Sequence, residues 1–307
     1  MRRLPLTLVM LASVLWGTVG VSSRLMADVS AAHPFAIGLF RLAFSVPVLA
    51  VAGIIVLRER MWKIDRPDLA GMAGIGAMMA LYQVCYFASI VQVGVSIATL
   101  VTLCTAPVIT AVLSAVLHRE LPGRRVVAAL GLALVGTALL IEWQPASGDV
   151  ASTITGALLA LGSATGYAVV TLLSQGLSRR RHPLQITTIG FACGAAALLL
   201  VAASTGTLTV MYPPTGWAIL IYMGVIPTAL AYVLFVAGMR HTSPTVATIA
   251  TLLEPLTATL LAGMLFGEKL SSQAVLGALL LVTAMATLIN SLAHAAHSPH
   301  NSGHDHT

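Results

Sequence analysis

The chain has 307 residues, 58% of them hydrophobic and 8% charged, with a mean hydropathy of +0.94. No water-soluble globular protein carries that balance. The formal charge of +6 would suit a nucleic-acid partner, but the cations sit in short loops between apolar runs, a pattern that reports orientation in a lipid bilayer instead.

About 20 mostly apolar residues in a helix cross the ~30 Å hydrocarbon layer, and ten such runs follow one another along the chain. They are Pro5 to Met26, Pro34 to Leu57, Asp68 to Ile90, Gly94 to Leu117, Arg125 to Ile141, Thr153 to Leu177, Pro183 to Thr205, Thr215 to Met239, Pro244 to Phe266 and Gln273 to Leu292. The first run, behind Arg2 and Arg3, has the look of a secretory signal peptide. It is kept as a span because the internal repeat needs it. Several runs open with proline, whose missing N–H is no loss in a first helical turn. Cys85, Cys104 and Cys193 lie singly in apolar runs, without C-x-x-C spacing, and read as reduced core residues.

Two segments betray a duplication. Leu103-Cys104-Thr105-Ala106-Pro107 is followed thirteen residues later by Glu120, and Leu252-Leu253-Glu254-Pro255 thirteen residues later by Glu268, both at an offset of 148. Leu130-Gly131 recurs, slightly shifted, as Leu276-Gly277. The expected plan is two five-helix units, residues 1–142 and 153–292, followed by a disordered His-rich tail over 293–307. Five is odd, so the second unit enters the bilayer from the opposite side.

Loop charges agree with that inversion. Residues 27–33 hold no Lys or Arg while 178–182 hold Arg179, Arg180 and Arg181; residues 58–66 hold Arg58, Arg60, Lys63 and Arg66 while 206–214 hold none. Residues 91–93 hold none while Arg240 lies in the matching loop, and Arg119, Arg124 and Arg125 face a single Lys269. Thirteen of the sixteen Lys and Arg then fall on one side, which the positive-inside rule makes the cytoplasm, with both termini there.

With these features assembled, the chain resembles the drug/metabolite transporter superfamily, specifically the EamA-like ten-helix permeases. Trp16-Gly17, Arg41, Pro107 to Glu120, and Glu254-Pro255 to Glu268 carry the resemblance, which covers about residues 5–292. The sequence departs from the usual pattern in having His118-Arg119 before Glu120, where a glycine is common, and in lacking a glutamate before Pro107. The resemblance implies an all-α inner-membrane protein with a central cavity lined by both inverted repeats. It further implies export or exchange of small organic solutes, without naming the solute.

Several span residues can carry that chemistry. Glu254 lies ten residues into the ninth span, about 15 Å deep, where an ionisable group is expensive and seldom idle; it is either a proton carrier alternating with substrate or a permanently hydrogen-bonded structural group. Arg41, about 10 Å deep, can hold a carboxylate bidentately, snorkel outward, or pair with Glu254. Tyr82 and Tyr86 share a helical face beside Gln83 and offer a stacking wall, to which Trp16, Tyr167 and Tyr232 can add; each alone is equally well a core or lipid-facing aromatic. Pro47, Pro107, Pro227 and Pro255 free the carbonyls of Ala43, Leu103, Met223 and Thr251, and the paired Pro107 and Pro255 are candidate hinges or packing kinks.

The tail carries His294, His297, His300, His304 and His306 and invites a metal-ion exporter as an alternative. The remaining four histidines all lie outside the spans, so no metal site or cofactor is expected along the route. No G-x-x-x-x-G-K-[ST] loop is present, and a gradient must supply the driving force. A membrane-integral enzyme acting on a lipid-soluble substrate is the competing class; it would call for deep His, Asp or Lys, which the spans lack. The expected partners are a small-molecule substrate and the bilayer, and small-residue faces permit a homodimer as readily as internal packing.

Overall fold

The computed structural model describes residues 3–30, 33–119, 121–141, 150–208, 211–267 and 271–297. Glu120, Glu268, Lys269, Arg2 and tail residues 298–307 lie outside them. Among the described residues there is no strand. The helices are α1 (Arg3–Val29), α2 (Pro34–Leu57), α3 (Arg66–His118), α4 (Arg124–Leu140), α5 (Val150–Ser178) and α6 (Pro183–Ser204), then α7 (Pro214–Gly224), α8 (Ala231–Met239), α9 (Pro244–Ala250), α10 (Leu253–Phe266) and α11 (Ser272–His297). A 3₁₀ turn, Arg58–Trp62, follows α2, and a π-helical turn, Val225–Leu230, joins α7 to α8. Eight helical stretches among the described residues are long and apolar enough to cross a membrane. Val91, Val116 and Met264 expose 82%, 73% and 80% of their surface; apolar side chains displayed that widely are stable only against lipid.

Local chemistry sets the helix limits. α2 matches its expected span to the residue: His33 accepts the Phe35 N–H on Nδ1, Pro34 fills the first turn, and Pro47 is tolerated inside. His182-Pro183 repeats the device 149 residues later, His182 Nδ1 accepting the Leu184 N–H at the same 3.3 Å. The long α3 covers the third and fourth expected spans and turns at Gly94, whose φ of 81° and ψ of 166° are non-helical. A residue with a side chain is strained at that φ, whereas glycine is not. α11 runs five residues past its expected end and takes in His294 and His297, since its last turns hold no glycine or proline to stop them.

Close glycine crossings hold the bundle together. A Cβ on Gly76 would overlap the Gly190 carbonyl, the Cys193 Cβ and the Gly194 amide, tying α3 to α6. Gly224 stands 148 residues further on and meets the Arg41 carbonyl, Phe44 Cβ and Ser45 amide of α2, each 149 residues before its counterpart. Gly136 of α4 and Gly277 of α11 pack reciprocally: the first meets the Gly277 carbonyl and Leu281 amide, the second the Gly136 carbonyl and Leu140 amide. α5 lies along both arms of α3, with Ser89 Oγ donating to the Gly156 carbonyl at 2.8 Å beside the Gly94 turn.

Opposite ends of the molecule are fastened differently. At one end Asp68, buried at the start of α3, takes Arg181 Nε at 2.5 Å and Arg180 at 3.3 Å, while Arg181 also pairs with Asp65. Gln185 Nε2 donates to the Arg60 and Met61 carbonyls, completing the clasp. At the other end Met26, Tyr212 and Leu220 form a separate apolar cluster with Phe40, Phe44 and Trp217.

Candidate functional site

Between these ends, α2, α3, the π-helical turn and α8 enclose a cavity of about 20 Å³ lined by Arg41, Leu42, Met79, Tyr82, Gln83, Thr228 and Tyr232. Four of the residues singled out from sequence therefore meet at one hollow: Arg41, Tyr82, Gln83 and Tyr232. Its volume is on the scale of a water molecule or two. Arg41 is presented where the Gly224 backbone presses onto α2, and its Nε–H donates to Thr228 Oγ1 at 3.3 Å.

The tyrosines form a connected wall. Tyr82 stacks near Tyr86 with ring centres 6.4 Å apart and meets Tyr167 of α5 at 5.9 Å. Tyr86 Oη bonds Thr99 Oγ1 at 2.6 Å across the Gly94 turn. Tyr232 points its hydroxyl at Met79 Sδ, 3.7 Å away, and its ring packs on Phe191 at 4.9 Å and on Trp16 at 4.7 Å. Trp16 thus stands behind Tyr232 and does not line the hollow, and its buried indole N–H has no hydrogen-bond partner among the described residues.

Glu254 lies in the first turn of α10, within Coulombic reach of Arg41, Tyr82, Tyr86, Tyr167 and Tyr232. A guanidinium and a carboxyl group thus flank the tyrosine wall, and no direct ion pair joins Arg41 to Glu254 among the described residues. The approach to Glu254 is broken: α9 ends at Ala250 and α10 begins at Leu253. Pro255 cannot donate to the Thr251 carbonyl, and the Glu254 N–H takes that acceptor at 2.9 Å in a tighter turn. α3, by contrast, stays helical through Pro107. The matched prolines therefore sit in unlike backbones, one at an interruption and one in a continuous helix.

Thr228 and Met79 belong to the cavity and were not singled out from the sequence. Threonines within spans ordinarily bond a carbonyl of their own helix, as Thr187 and Thr188 do here, so a functional threonine carries no distinguishing pattern. The one available signal was its place directly after Pro227.

A bundle of long apolar helices with a polar and aromatic pocket between them is the architecture of a multi-pass membrane protein. The profile of the EamA-like transporter family matches residues 3–142 and again residues 154–290; the chain belongs to that family. The uncharacterized transporter YwfM of Bacillus subtilis is 31% identical over 282 residues, covering 91% of this chain and 92% of that one. An uncharacterized transporter of Archaeoglobus fulgidus is 31% identical over 275 residues, 89% and 92% of the two chains, and the uncharacterized inner membrane transporter YicL of Salmonella typhimurium is 26% identical over 287 residues, 90% and 92%. A solved crystal structure with 21% identity superposes at a TM-score of 0.80 over 97% of this chain and all of that one, which establishes the fold alone.

Proposed function

We propose that this protein is a secondary transporter of the cytoplasmic membrane that exports or exchanges a small amphipathic metabolite by alternating access, a zwitterion such as an amino acid being the class its site suits. The carrying observation is the mid-bundle cavity, where a guanidinium and a wall of tyrosines meet with a carboxylate in Coulombic reach. Arg41 takes the substrate carboxylate, the rings of Tyr82, Tyr86, Tyr167 and Tyr232 take its apolar part, Gln83 offers hydrogen bonds, and Glu254 answers the ammonium group or a proton.

Ten crossings in two inverted repeats, residues 1–142 and 153–292, complete the reading. Support comes from the double family match, from the Gly76 and Gly224 crossings, from the reciprocal Gly136 and Gly277 contact and from the His-Pro caps at 33 and 182. The Gly94 turn supports dividing α3 into two crossings. The clustering of cations at loops 58–66 and 178–182 supports cytoplasmic termini. Because the site lies between the halves, rocking of one half against the other exposes it to each side in turn, with the interrupted backbone before Pro255 serving as a hinge.

Flux of labelled amino acids and amphipathic drugs in proteoliposomes, with and without a pH gradient, tests this. Saturable flux that Glu254→Gln uncouples from the pH gradient, lowering gradient-driven accumulation by about tenfold or more, is expected if the carboxyl carries the proton. Absence of flux across the whole panel defeats the transport reading, and flux indifferent to Arg41→Ala defeats the assignment of the site.

A further inference from the structure

The π-helical turn is the least expected feature beside the cavity, and the molecule contains its own control for it. Gly76 and Gly224 pack on matched positions of α6 and α2, so equivalent crossings are made in both halves. In the first the helix is regular onward through Met79. In the second, Pro227 breaks the ladder and the turn widens to Val225–Leu230. The crossing itself therefore does not need the wide turn. Single π turns inside α-helices recur at functional sites.

The widened turn frees a hydroxyl with a defined polarity. Pro227 has no N–H for the Met223 carbonyl, and Thr228 Oγ1 donates to that carbonyl at 2.7 Å. A hydroxyl has one proton. With that proton committed, only lone pairs remain on Oγ1, and Arg41 Nε–H donates to them at 3.3 Å. Thr228 is 1% exposed, so water does not compete freely for it. Arg41 corresponds to Gly190 by the 149-residue offset that relates α2 to α6, so the matched crossing carries no guanidinium.

We infer that Thr228 is a positioning residue: anchored on the Met223 carbonyl that Pro227 releases, it fixes Arg41 through Nε and leaves the other guanidinium N–H groups to read a substrate carboxylate. This rests on the proposed role of Arg41, and the experiment separates the two. Full-length protein in detergent is titrated with L-phenylalanine and with L-phenylalaninamide, which presents a neutral amide where the acid presents a carboxylate. A preference for the acid of about tenfold is expected in the wild type. Thr228→Val, nearly isosteric but without the hydroxyl, is expected to erase most of that preference, and Thr228→Ser to restore it.

Retention of the full preference by Thr228→Val overturns the positioning role. A wild type that binds both compounds equally, or neither, overturns the carboxylate reading of Arg41 instead. A second measurement needs no ligand: melting temperatures of Arg41→Met, Thr228→Val and the double variant. Non-additive shifts are expected for directly bonded partners, and additive shifts overturn the relay.

Discussion

Asp68 in the first turn of α3 and Trp217 in the first turn of α7 each fasten one end of the bundle, with opposite physics. Asp68 gathers Arg180 and Arg181 in a clasp that joins the turn after α2 to the turn before α6. Trp217 meets Phe40 and Tyr212 edge-on at 5.2 Å each and Phe44 at 6.1 Å, joining α2 to α7. Directly beside these, the His-Pro caps at 33–34 and 182–183 are nearly identical. The caps are alike while the chemistry that closes each end is not, charge at one and rings at the other.

The sharpest way to break this comparison is to remove each lock. Trp217→Ala is expected to destabilise the protein most, by about 2–3 kcal/mol, because the half-buried ring leaves a cavity among aromatic neighbours. The loss, read from unfolding in detergent, should not change between low and high salt. Asp68→Asn is expected to cost somewhat less, about 2 kcal/mol, between the values for exposed and buried pairs, since Asp68 is buried while Arg180 remains largely exposed. Its difference from wild type should shrink as salt rises from about 0.05 to 0.5 M, because screening weakens the wild-type clasp. Equal salt sensitivity in the two variants would show that the ends are not locked by different forces.

The smallest effect sharpens the comparison at the caps. His182 is held below its ordinary pKa of 6.5, first by burial and then by Arg240. The neutral ring caps the Leu184 N–H, so this contribution is fully present above about 6.5 and is lost as pH falls through the lower folded value. His182→Asn retains a capping acceptor without titrating. A pH titration of stability should accordingly flatten by up to about 1 kcal/mol on the acid side in that variant. An unchanged acid limb would remove the histidine from the account.

Parts of this organisation are readable residue by residue. The limits of α2, the caps before Pro34 and Pro183 and the clearing of charge from the spans follow from local chemistry. Arg41, Tyr82, Gln83 and Tyr232 stood out because polar and aromatic groups deep in lipid must answer to something. The same reasoning could not separate Trp16 from the cavity wall, since periodicity is weak evidence where every face of a helix is apolar. Nor could it rank Pro107 against Pro255: both remove one hydrogen bond, and only their neighbours decide whether the backbone absorbs the loss or breaks.

Sequence alone determined that this chain crosses a membrane repeatedly and repeats itself, because desolvation of backbone and side chains is counted along the chain and needs no knowledge of neighbours. Tertiary structure decided which few polar atoms face one another: that Thr228 lies against Arg41, that no ion pair joins Glu254 to the guanidinium among the described residues, and that one end is charged where the other is aromatic. Those outcomes depend on angles and close approaches set by glycines such as Gly76, Gly224 and Gly277 on different helices, and no single helix encodes the partner it will meet.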